Sequence, residues 1–123
     1  MADKRKQLGR RGEDAACEYL ARRGLEILDR NWKCGYGEAD IIALERSVLV
    51  FCEVKTRQTA SDVLPEESIT YKKQMRYGKI ATVYRSRTVV RHNMVRFDVI
   101  TLQVNADGKS AHLRYMPSAF SVG

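Results

Sequence analysis

The sequence predicts an α/β domain in which a β-sheet is flanked by helices. Three observations predict it. Residues 4–23 and 65–85 carry long basic stretches with apolar residues at helical spacing, two pairs of β-rich apolar runs read as hairpins, and the pieces come in the order helix, three strands, helix, two strands. A chain of 123 residues is long enough for a single core and too short for two, so residues 1–123 are read as a single domain.

In residues 4–23, Leu8, Ala15, Ala16, Tyr19 and Leu20 share one face, arginines and lysines decorate the rest, and Gly24 suits the C-terminal stop. Gly9 and Gly12 weaken the first half at about 1 kcal/mol each relative to alanine. Either that half frays or the backbone there must approach something closely. Residues 25–32 form a first strand, with Ile27 and Trp32 as core anchors. Residues 41–44 and 48–51 are the arms of a hairpin around Glu45, Arg46 and Ser47. Polar, aperiodic residues 58–63 make a loop, and Pro65 followed by Glu66 and Glu67 opens the second helix. Its expected buried side is Ile69, Met75, Ile80, Ala81, Val83 and Tyr84. Residues 95–104 pair through residues 105–108 with residues 111–116, and residues 117–123 form a poorly patterned tail.

The charged ends of the first hairpin carry the chemistry. With the turn centred between Arg46 and Ser47, Asp40 faces Glu53 and Glu38 faces Lys55. Arg-Ser is a poor two-residue turn, and an odd loop would shift this register by one. The grouping within a strand does not depend on register: Glu53 and Lys55 point one way, Cys52 and Val54 the other. Facing carboxylates destabilise a sheet unless a cation lies between them or function demands the repulsion. Mg²⁺ meets that need, because it binds one or two carboxylates together with water and phosphate oxygens. A solvated cross-strand salt bridge is the competing explanation of Glu-Val-Lys. The apolar run just inside the charges, the Gly35-Tyr36-Gly37 lead-in, and the acid, spacer, acid-x-lysine order favour a site for metal-assisted phosphodiester cleavage.

Composition sets the bounds. With 44% hydrophobic and 30% charged residues the chain has an ordinary globular balance. A net charge of +7 and a pI near 9.5 suit a partner bearing phosphates. No apolar stretch approaches membrane-spanning length, and the charged N-terminus lacks the apolar core of a signal peptide, so a cytoplasmic protein with no membrane partner is expected. Cys17, Cys34 and Cys52 are widely spaced with no neighbouring histidine, which argues for reduced thiols over zinc or disulfides.

The run from Gly37 through Glu38, Ala39, Asp40 and Ile41, followed by Phe51-Cys52-Glu53-Val54-Lys55-Thr56-Arg57, resembles the YraN family of uncharacterised bacterial proteins. That family is itself similar to Holliday-junction resolvases of the PD-(D/E)XK nuclease superfamily. Gly12-Glu13 with Ala16 and Leu20, Arg30-Asn31, Lys73-Gln74 with Ala81, and Arg96-Phe97-Asp98-Val99 also resemble it, so the likeness covers most of residues 8–100. Ala39 and Cys52 stand where larger aliphatics are usual, and Tyr71 where proline is frequent.

The resemblance implies a restriction-endonuclease-like core with a central mixed sheet of about five strands. It also implies endonucleolytic hydrolysis of nucleic acid, with branched or structured DNA as the substrate class, DNA in preference to RNA, and a homodimer whose interface is not legible. Asp40 and Glu53, with the Val54 carbonyl, would hold Mg²⁺, with Mn²⁺ as a substitute; Lys55 would act on the attacking water and phosphorane charge; Glu13 would assist. On residues alone, Glu13 reads equally as an exposed helical acid paired with Arg10. Lys73 and Gln74 are the candidates for the scissile phosphate, with Lys72, Arg76 and Arg57 beside them. The basic second helix reads as a phosphate track or as a solvated face. Two other functions compete with the nuclease: a non-cleaving nucleic-acid-binding module and a basic adaptor for a protein partner.

Overall fold

The computed structural model describes residues 4–59, 69–105, 107 and 111–122. The elements run α1 (Lys4–Arg22), β1 (Glu26–Cys34), β2 (Gly37–Glu45), β3 (Val48–Thr59), α2 (Tyr71–Arg87), β4 (Met94–Asn105) and β5 (Ala111–Phe120). The strands form one five-stranded sheet in the order β1-β2-β3-β4-β5. Only β3 and β4 pair in parallel, so the sheet is mixed. A parallel pair needs a crossover, and the segment containing α2 supplies it.

The helices cover opposite faces. Ala16 and Leu20 of α1 pack with Ile41, Ala43, Val50, Cys52, Ile100 and Leu102. Tyr77, Ile80, Ala81 and Tyr84 of α2 pack on the other side with Ala39, Ile42, Leu49, Phe51 and Phe97. The central strands alternate between two buried layers, which is why they read as continuous apolar runs.

Local chemistry explains the turns. Gly24 takes φ 97°, and the Leu25 N–H donates to the Leu20 carbonyl at 3.0 Å, closing α1 with a reversal that only a left-handed residue allows. Glu45 pairs with Val48, so Arg46-Ser47 is a two-residue turn, with Arg46 in the left-handed region at φ 56°. The paired residues from Ile41↔Cys52 to Glu45↔Val48 keep the register that a turn centred there demands.

Three expectations need correction. Ile69 and Thr70 are not helical: α2 begins at Tyr71, and the Thr70 hydroxyl caps it by accepting from the Lys73 N–H at 3.2 Å. The proposed opening at Pro65, Glu66 and Glu67, and most of the 58–63 loop, lie outside the described residues. Met75 is exposed, and Tyr77 holds the buried position on that helix. Finally, β5 runs through Phe120, beyond the point where a patternless tail was expected, and Phe120 stacks on Phe97 with ring centroids 5.1 Å apart.

That extension is held by Asp98, which is fully buried. Its carboxylate accepts two hydrogen bonds from the Arg96 guanidinium at 2.9 Å, one from the Tyr115 hydroxyl and one from the Ser118 N–H at 2.9 Å. Ser118 takes φ 53° to present that N–H. A buried acid with four donors is a structural hub rather than a spare reactive group.

Candidate active site

Asp40 marks a break in β2. Ala39 packs in the α2 layer and Ile41 in the α1 layer, although residues two apart on a regular strand share a face. The backbone ladder with β3 ends at Ile41↔Cys52, and the Asp40 carboxylate takes over as acceptor, its Oδ2 receiving the Val54 N–H at 2.8 Å. Glu38 lies beyond the end of that ladder, exposed, and is paired on its other side with Lys33 of β1.

The Glu53 side chain is 8% exposed and its Oε1 accepts from Lys73 Nζ at 2.9 Å. Burial pushes the Asp40 carboxyl up to about 8, the charge of Glu53 adds to that rise, and the Val54 N–H opposes it. Glu13 adds a further upward push, which places this α1 acid within electrostatic reach of Asp40. These influences together favour the protonated form of the Asp40 carboxyl.

Gly12 explains how α1 comes so close. A Cβ built there would lie 2.0 Å from Thr56 Oγ1, while one at Gly9 would meet nothing within 4 Å. Close approach is therefore the reason for the first of these glycines and not for the second. The contact seats Glu13, which is half-buried, at the edge of β3.

Tyr77, one helical turn beyond Lys73, is the member of the site that the sequence did not reveal. Its hydroxyl is buried and lies against the Glu53 side chain and the Asp40 backbone, with no hydrogen bond of ordinary geometry among the described residues. Burial raises its pKa well above the ordinary phenol value, and the charges of Glu53 and Asp40 raise it further. A buried polar atom needs polar neighbours, and here the two acids supply them.

Alternation along β3 puts Glu53 and Lys55 on one side and Val54, which packs against the α1 layer, on the other. Lys55 is half-buried. Lys72 and Arg76 are exposed on α2, and Arg57 is exposed on β3. Gln74 has a local role: its Nε2 donates to the Ile69 carbonyl at 2.9 Å and ties the chain entering α2 to the helix. The β1–β2 turn lies on this helix too, since a Cβ at Gly37 would meet Arg76 Cδ at 2.9 Å and Lys79 stands 5.4 Å from the Tyr36 ring centre.

Among the described residues no three His, Cys, Asp or Glu side chains are gathered as a ready-made metal cage. The three cysteines are free, and Cys52 is buried. No described helix is long and apolar enough to cross a membrane.

A family model described as "Uncharacterised protein family UPF0102" matches residues 12–102, a span that contains Glu13, Asp40, Glu53, Lys55 and Lys73. A UPF0102 protein of Dictyoglomus turgidum is 39% identical over 115 residues, covering 94% of this chain and 98% of its own. One from Pelotomaculum thermopropionicum is 41% identical over 120 residues, covering 98% of this chain and all of its own. One from Rhodococcus opacus is 40% identical over 113 residues, covering 92% and 95%.

Proposed function

We infer that this chain, which belongs to the uncharacterised protein family UPF0102 (YraN-type), is a metal-dependent endonuclease acting on nucleic acid in the cytoplasm, DNA in preference to RNA. The observation that carries this reading is the Asp40–Glu53 pair: a half-buried aspartate beside a buried glutamate, whose charge helps to push the Asp40 carboxyl up, at the point where β2 leaves its ladder with β3. Two carboxyls placed so closely suit a divalent cation that both can hold.

The donor set fits Mg²⁺ or Mn²⁺ better than zinc. Asp40, Glu53 and the Val54 carbonyl offer hard oxygens, without the cage of protein ligands that a structural metal would need. The buried Tyr77 hydroxyl beside both acids adds a polar group to the same site. When bound there, the metal would lower the pKa of a coordinated water and offset charge on the phosphate. Asp40 would give up its proton to hold the metal. Lys55 orients the attacking water and neutralises negative charge as it develops, and Glu13 assists from the α1 side. Lys72, Lys73, Arg76 and Arg57 supply positive charge for the phosphates, and Gln74 holds the entry to α2 that carries three of them.

The test is a cleavage panel of linear, flapped and four-way DNA in Mg²⁺, Mn²⁺ or EDTA, with the parent and Glu53→Ala side by side. The parent should cut at least one substrate in metal and none in EDTA, and Glu53→Ala should cut none. Salt-sensitive binding without cutting would make the chain a non-cleaving nucleic-acid-binding module.

A further inference from the structure

The Glu53 carboxylate is already satisfied in the metal-free protein, and a lysine satisfies it. Lys73 Nζ lies 2.9 Å from Glu53 Oε1, with Glu53 8% exposed and the lysine side chain 40% exposed. One end of the ion pair is therefore fixed in the protein and the other has a path to solvent. The Lys73 backbone is held by its N–H bond to Thr70 at 3.2 Å, and the Gln74 bond to Ile69 braces the same turn. Only the long side chain is left to move.

We propose that Lys73 is the site's built-in counter-cation, exchanging Glu53 for a substrate phosphate when a divalent metal binds. This rests on Asp40 and Glu53 being the metal ligands. A divalent cation between two carboxylates is neutral as a unit. The displaced ammonium then leaves the loaded site with one unbalanced positive charge, which suits a single phosphodiester anion. Without metal, Lys73 balances the Glu53 charge; with metal, it becomes a phosphate contact anchored one turn from Tyr77. One residue so joins metal loading to substrate affinity, each favouring the other.

The test is Mg²⁺ titration by calorimetry, without nucleic acid and at one pH, on the parent, Lys73→Met, Lys73→Gln and Lys72→Met. Glutamine keeps a hydrogen-bond donor for Glu53 and removes only the charge, which guards against misfolding of the methionine variant. Both Lys73 variants should bind Mg²⁺ about tenfold more tightly than the parent, because no ion pair has to break. Lys72→Met, which changes the same charge on the next residue, should stay within about twofold. Mg²⁺ should also strengthen binding of a duplex by the parent more than by Lys73→Gln. Parental or weaker Mg²⁺ affinity in both Lys73 variants would overturn the exchange and leave the metal site standing. Absence of Mg²⁺ binding in all four proteins would remove the metal site itself, and the exchange with it.

Discussion

Replacing Asp40 by asparagine should stabilise the metal-free protein, and by more as the pH rises. The carboxyl has an ordinary value of 3.8 and stands at about 8 in the folded chain, with burial as the main cause and the Glu53 charge next. Below about pH 4 the group is protonated in the folded and unfolded states alike and has no effect on stability. Between about pH 4 and pH 8 the unfolded chain ionises while the folded chain keeps its proton. The folded state then binds more protons, and stability falls with rising pH by up to about 1.4 kcal/mol per unit. Above about pH 8 the loss levels off. Because the surroundings of Asp40 relax on ionisation, we take roughly half that slope, or about 2 kcal/mol between pH 5 and pH 8. For a domain of this size that is a difference in Tm of roughly 6–10 °C. Asparagine abolishes the slope yet keeps an oxygen to accept the Val54 N–H bond. Thermal melts of both proteins in EDTA across this range give the measurement, since titrating groups away from Asp40 cancel in the difference. Parallel curves, or an Asp40→Asn variant less stable throughout, would refute the reasoning and make Asp40 an ionised, structurally paired acid.

Glu53→Ala should lose Mg²⁺ binding and cleavage together, while Lys55→Met should retain both metal and DNA binding and slow turnover by about two to four orders of magnitude on the same substrate at saturating Mg²⁺. Gly12→Ala should destabilise the domain by about 1–3 kcal/mol in denaturant melts despite alanine's better helix propensity, because its Cβ would meet Thr56 Oγ1 at 2.0 Å, and Thr56→Ala in the same chain should restore most of that loss. Asp98→Asn should cost about 3 kcal/mol of stability, through the lost charge facing Arg96, with Mg²⁺ affinity unchanged.

The first hairpin was legible because its apolar arms and short turn leave few registers, and the pairing from Ile41↔Cys52 onward follows from the centre between Arg46 and Ser47. The stop at Gly24 was legible for a similar reason, since a left-handed residue after the last apolar position has few other uses. The contributions of α2 were not. Lys73 reaches Glu53 from twenty residues away, and no local pattern states which face of a helix charged on nearly every side will meet the sheet. A methionine looked like the core residue, but an aromatic occupies the place because Tyr77 packs against Phe97 and Phe120. The start of α2 was misplaced because proline followed by two acids is a strong opening signal, whereas the cap is Thr70, preceded by a buried isoleucine. The extension of β5 depends on a buried carboxylate reaching a Ser118 N–H across the sheet, which has no signature along the chain. The break at Asp40 is of the same kind. Its two neighbours pack in opposite layers, and only the three-dimensional arrangement shows that its carboxylate takes the place of a backbone acceptor.

The pairing of Asp40 with Glu53 as a metal site has one direct measure, the protons released when Mg²⁺ binds. Calorimetry in two buffers of different ionisation enthalpy reports that number. An Asp40 carboxyl pushed up to about 8 must give its proton up to a metal that takes both carboxylates. At pH 7 the parent should release roughly half a proton or more per Mg²⁺. At pH 9 it should release almost none, and Asp40→Asn should bind weakly with no proton release at either pH. Tight Mg²⁺ binding by the parent with no proton released at pH 7, or binding that survives unchanged in Asp40→Asn and Glu53→Ala, would place the metal elsewhere and contradict the account.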